Sequence, residues 1–104
     1  MNIITITGRV DSKPIRTETK ESVVTTFRLA SGRTNNRGGR LWIDIDAWGH
    51  LGGIATRSAT PGRTVIIVGR LRARTYDARD GTRKTHWSIV ASDIEYLDKP
   101  ATTP

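Results

Sequence analysis

A chain of 104 residues suffices for one domain with a modest hydrophobic core and is too short for two independent ones. Its 17 Lys+Arg against 10 Asp+Glu leave a net charge of +7, which selects a polyanionic partner such as nucleic acid or an acidic membrane surface. The absence of cysteine excludes disulfides and thiolate metal sites, and the longest aliphatic run, Val65 to Val68, is far too short to span a bilayer.

Thirteen of the cations are Arg, whose guanidinium holds phosphate bidentately and stacks on planar rings, so the balance favours nucleic acid. Genomic base composition is the competing reason for an Arg excess. Met1 to Thr5 carries no basic segment leading into an apolar run, so a soluble, intracellular, cytoplasmic protein is expected.

The first strand is read over Ile3 to Val10, β-branched and alternating; Asp11-Ser12-Lys13-Pro14 ends it, and it resumes over Ile15 to Thr17. A second strand, Val23 to Ser31, sets Val23, Thr25, Phe27 and Leu29 on one face and Val24, Thr26, Arg28 and Ala30 on the other. Gly32 to Arg40 has no hydrophobic side chain and reads as a mobile loop, a flexible clasp carrying Arg33, Arg37 and Arg40. The third strand, Leu41 to Trp48, turns Leu41, Ile43, Ile45 and Ala47 one way and Trp42, Asp44, Asp46 and Trp48 the other.

Gly49 to Arg57 is expected to make one or two helical turns, although its paired glycines weaken a helix. Thr60-Pro61-Gly62 turns the chain into a fourth strand, Thr64 to Tyr76, with Val65, Ile67, Gly69, Leu71 and Ala73 on one face. Ile66, Val68, Arg70, Arg72, Arg74 and Tyr76 share the other. Asp77 to Thr82 is a hairpin turn by its Asp-Gly content. In the fifth strand, Arg83 to Leu97, Trp87, Ile89 and Ala91 compete with Val90, Ile94 and Tyr96 for the inward face, and a bulge near Ala91 to Asp93 reconciles them. Residues 99–104 read as a disordered tail, which leaves a single domain over 1–98. Five strands with a short helix between the third and fourth is the pattern of the OB-fold, an all-β, five-stranded Greek-key barrel that often binds oligonucleotides.

The third strand carries the sharpest functional signal. Two aspartates share a face with Trp42 and Trp48, and a buried face would not accept that pair of charges cheaply, so both indoles are expected within reach of solvent. Exposed rings on a sheet let bases stack, and every base has a π-face, so the interaction ignores sequence. Cover for an apolar seam or a subunit interface is the competing use of these indoles.

Arg70, Arg72 and Arg74 recur at period two and are followed by Tyr76, which makes a track for a phosphate backbone. Asp44 and Asp46 on the neighbouring strand offer a purely structural use for one or two of these arginines. Arg33, Arg37, Arg40, Arg79, Arg83 and Lys84 are expected to flank the same groove. His50 and His86 stand alone, so no triad, metal site, cofactor or enzymatic activity is expected; a Mg²⁺ pair at Asp44 and Asp46 is outweighed by their pairing with arginine.

The chain resembles the bacterial single-stranded DNA-binding protein family over about residues 1–98. The resemblance rests on Ile6-Thr7-Gly8-Arg9-Val10, Pro14-Ile15-Arg16, Phe27-Arg28-Leu29-Ala30, Trp42 to Gly49, Gly62, Gly69-Arg70-Leu71-Arg72-Ala73-Arg74 and Asp80-Gly81. It implies base stacking at Trp42, Trp48 and Tyr76, with Arg72 and Arg74 in the family's basic strand motif. It also implies single-stranded DNA coating in replication, recombination or repair, by a homo-oligomer that is a tetramer before a dimer. Replication and repair proteins would be its further partners.

Three features depart from the family pattern. Asn35 stands where a loop Trp is usual, Ile43 follows the third-strand Trp where His is common, and no long tail with an acidic, hydrophobic tip is present. A dimeric primosomal OB-type interaction module is the alternative of this size without such a tail. A Mg²⁺-dependent nuclease and an RNA chaperone are the others.

Overall fold

The computed structural model describes residues 1–32 and 39–98. Its elements are β1 (Ile4–Val10), β2 (Ile15–Glu18), β3 (Val23–Ser31), β4 (Leu41–Trp48), α1 (Gly49–Ser58), β5 (Thr64–Asp77) and β6 (Arg83–Tyr96). The expected roles of Arg33, Asn35 and Arg37, and the expected tail over 99–104, lie outside the described residues.

The five expected strands become six elements because the first one breaks at Asp11 to Pro14, where proline cannot donate to a ladder. Its two parts have different partners: β1 runs antiparallel to β5, and β2 antiparallel to β3. The strand order is β1-β5-β6-β4-β3-β2, and Arg9 and Val10 of β1 also pair with Ala30 and Leu29 of β3, which brings the sheet back to its first strand. The parallel β4–β6 pair, Asp44 to Asp46 beside Ser88 to Val90, joins the third expected strand to the last. This is the mainly β OB architecture with a helix between its third and fourth strands.

Period-two alternation gathers the core on one side of the curled sheet. Phe27, Leu29, Ile43, Ile45, Ala47, Val65, Ile67 and Ile89 are buried there together. At about 25 cal/mol per Å² of apolar surface, burial of these side chains dominates the stability of the fold. Leu41 departs from its expected place: it is half exposed, because β4 begins beyond the edge of the core.

Helix α1 covers one end of this core through Ala55 and Ala59. It runs for 10 residues, longer than the expected one or two turns. Gly52 explains the difference, since a Cβ there would collide with the Ala47 carbonyl. The glycine that lowers helix propensity is the residue that lets the helix settle on β4, and Thr56 then meets the buried Thr25 hydroxyl at 3.1 Å.

The bulge forms where expected. Val68 pairs with Asp93 while Gly69 pairs with Ala91, so Ser92 is the extra residue, and its hydroxyl donates to the Val68 carbonyl at 3.0 Å. The slip lets Ile89 and Ala91 on one side of it and Ile94 on the other all point inward. Gly69 is required, because a Cβ would run into the Val90 carbonyl. Beyond the core, the last five residues of β5 and the first five of β6 are all exposed, so the hairpin stands off as a two-stranded arm. No helix among the described residues is long and apolar enough to cross a membrane.

Candidate nucleic-acid interface

The side of the sheet facing away from the core is set by the same alternation that built the core. Two rows cross it. Thr26, Asp46, Val90 and Arg70 lie side by side across β3, β4, β6 and β5, and Arg28, Asp44, Ser88 and Arg72 form the next row. Beyond them Ala30 pairs with Trp42, His86 with Arg74, and Lys84 with Tyr76, while Val24 pairs with Trp48 at the opposite end.

The expected phasing of β4 is therefore correct. Trp42 is 50% exposed and Trp48 is partly so, and they stand at the two ends of the strand, about 20 Å apart at the rise of an extended chain. Trp48 is also the residue from which α1 starts, so the helix fixes its backbone.

A groove of about 350 Å³ runs over this surface, lined by Trp48, Arg72, Arg74, His86 and the two aspartates together with Thr26 and Thr17. Arg72 and Arg74 thus meet Trp48 in one concavity. Trp42 lies in a neighbouring cleft with Arg28 and His86. Arg70 falls outside both and lines a recess with Val90 and Ala91. Tyr76 and Lys84 are exposed on the arm, Arg79 is exposed in its turn, and Arg40 is exposed just before β4.

The aspartates do not neutralise the arginine track. Asp44 stands 3.2 Å from His86 Nε2 and 3.7 Å from Arg28 Nε, and Asp46 accepts a hydrogen bond from the Thr26 hydroxyl at 2.9 Å. Among the described residues Arg70, Arg72 and Arg74 make no ion pair, so their charge is available to a ligand. The competing structural use, in which Asp44 and Asp46 hold one or two of these arginines, is not found among the described residues: β6 lies between β4 and β5, and Asp44 meets Arg28 and His86 while Asp46 meets Thr26.

The same register gives His86 a partner that sequence spacing did not show. Among the described residues no group of three metal-ligating side chains forms around Asp44 and Asp46. Arg83, one of the expected flanking cations, pairs with Asp77 at 3.8 Å on the arm.

Other charged groups serve the fold. Arg63 lies 4.9 Å from the centre of the Tyr96 ring and donates to the carbonyls of Ser58 at 3.0 Å and Asp98 at 2.7 Å. Burial pushes the Tyr96 hydroxyl above its ordinary pKa, against the opposing pull of Arg63. Two residues beside this surface have no role in the expectations from sequence. Arg28 was visible on the right face of β3, but its proximity to Trp42 depends on cross-sheet register. Trp87, one of the residues competing for the inward face of the last strand, is 52% exposed.

The fold that carries this surface is one that known proteins share. The chain is 33% identical to the single-stranded DNA-binding protein of Caldanaerobacter subterraneus subsp. tengcongensis, over 94% of this chain and 69% of that one. The small single-stranded DNA-binding protein of Streptomyces coelicolor superposes with a TM-score of 0.75 at 26% identity, over 91% of this chain and 93% of that one. The Plasmodium falciparum SSB in complex with ssDNA has the same fold, with a TM-score of 0.81 at 24% identity over 94% and 96% of the two chains. The pattern that defines the Single-strand binding protein family matches residues 1–97, and the chain belongs to that family.

Proposed function

We propose that the protein binds single-stranded DNA without reading its sequence and coats it during replication, recombination or repair, catalysing no reaction. One observation carries this reading: the exposed Trp42 and the partly exposed Trp48 stand at the two ends of β4, beside a groove whose Arg72 and Arg74 have no ion-pair partner among the described residues. Stacking rings and free guanidiniums on one surface suit a strand whose bases are unpaired and whose phosphates are close by. A duplex hides its base faces in the stack and offers only phosphates to such a surface.

In this reading Trp42, Trp48 and Tyr76 stack bases. Arg72 and Arg74 hold the backbone between them, with Arg70, Arg40, Arg79 and Lys84 at the margins and Arg33 and Arg37 assigned with them from sequence. Residues 1–98 are the binding domain. The family supports a cytoplasmic homotetramer acting with replication and repair proteins.

Titration with oligo(dT) while following tryptophan emission tests the proposal. Strong, salt-sensitive quenching is the expected result. Emission that stays unchanged up to micromolar oligonucleotide would refute it.

A further inference from the structure

Trp87 belongs neither to the core nor to the stacking set above. Its register pairs it with Ala73, on the side of the hairpin that faces the interior lower down, where Ile89 and Ala91 are buried. The interior begins only at Ser88 and Ile89, so the Trp87 ring stands on the arm half in solvent. An indole of this size stabilises a fold by burial, and here most of that gain is forgone.

Its surroundings give the ring another use. Parallel pairing of β4 with β6 starts at Asp44 and Ser88, and before that point no pairing joins the two strands. The opening between them is a cleft of about 380 Å³ that Trp42 and Trp87 line together, with Arg28, Asp44, Thr85 and His86 around them. Two apolar planes with hydrogen-bonding groups at the rim suit a heteroaromatic ring with polar edges. A large subunit interface would need a broad apolar surface, and the other residues on Trp87's side of the arm, Ala73, Thr75 and Thr85, do not provide one.

We infer that the cleft between β4 and β6 is a further base-binding subsite, in which Trp87 and Trp42 together hold one nucleobase of single-stranded DNA beside Arg28. The subsite rests on the proposed function and extends it. It takes the strand off the outer face of β4, through the gap, and onto the reverse side of the β5–β6 arm. Trp87 thereby adds a platform that the arginine track and the three assigned aromatics do not include.

The Trp42→Phe, Trp48→Phe double variant leaves Trp87 as the single emitter. Its emission is followed during titration with 5′-labelled oligo(dT), whose anisotropy reports binding independently. Quenching of Trp87 in step with the anisotropy is expected. A full rise in anisotropy with Trp87 emission unchanged overturns the subsite and leaves the proposed function intact, whereas an oligonucleotide that fails to bind even the natural chain overturns the proposed function itself.

Trp87→Ala in the otherwise natural chain decides the matter independently of that double variant. Affinity for oligo(dT) is expected to fall about 5- to 150-fold, with the solution mass unchanged. Unchanged affinity, or a lowered mass, would overturn the subsite, and a lowered mass would assign Trp87 to a contact between subunits.

Discussion

Asp44 stands 3.2 Å from His86 on the exposed side of the sheet, and Arg72, in the same cross-strand row, is left without an ion pair among the described residues. The carboxylate therefore restrains Arg28 and His86 rather than the central arginine. In a groove meant for phosphates it also repels the ligand. Asp44→Asn is expected to tighten oligo(dT) binding about two- to fivefold at low salt, since a partly exposed charge interaction is worth up to about 1 kcal/mol. The gain should shrink as salt is raised. Anisotropy titrations at two ionic strengths measure both effects.

Arginine and tryptophan substitutions should separate by their salt dependence. Arg72→Ala and Arg74→Ala each remove one phosphate contact, so each should lower the slope of log affinity against log salt by about 0.7. Trp48→Ala removes stacking worth about 1–3 kcal/mol and should leave the slope unchanged. A series of titrations from low to moderate salt distinguishes the two patterns.

Gly69→Ala is expected to destabilise the fold by about 1–3 kcal/mol, the range for forcing extra volume into a packed site. The added methyl meets the Val90 carbonyl at the point where the β6 ladder slips past Ser92. Relief requires the bulge to shift, which would turn Ile94 away from the core. Urea denaturation of the two proteins measures the difference.

Acid stability should depend on the end of β6. The Thr64 backbone N–H donates to the Asp98 carboxylate at 2.8 Å, and this bond, with smaller help from Arg63, holds its pKa below the ordinary 3.8. The folded state then takes up a proton less readily than the unfolded chain. The resulting stabilisation is complete above the ordinary carboxylate value and is lost as pH falls through it to the lower folded value. Asp80, held low by the Thr82 hydroxyl, acts in the same direction. Asp98→Asn should therefore leave a shallower loss of stability as pH falls below the ordinary carboxylate value, read by thermal melts over a descending pH series.

Alternation within a strand is local, and where it was regular the sequence reading succeeded. The placement of Trp42 and Trp48 on the face away from the core, the buried Ile43 and Ile45, and the bulge beside Gly69 all follow from period two and from its one interruption. Contacts between strands are a matter of topology. An arginine partner for Asp44 was legible as a residue type and is Arg28, but nothing near Asp44 in the chain announces that β6 will lie parallel to β4 and bring His86 to it.

The exposure of Trp87 was not legible for a related reason. Periodicity says which side of a strand a residue occupies, and only the extent of the core says whether that side is covered. Leu41 was misjudged in the same way at the start of β4. Helix α1 exceeded its propensity because Gly52, unfavourable in isolation, fits against the Ala47 carbonyl.

The central claim is that stacked bases, and not phosphate charge alone, hold the ligand to this surface. It is tested most directly by comparing affinity for oligo(dT), a mixed-sequence single strand and the matched duplex at one moderate salt concentration. Similar affinity for the two single strands, with the duplex at least a hundredfold weaker, is the predicted result. Equal affinity for duplex and single strand would contradict it.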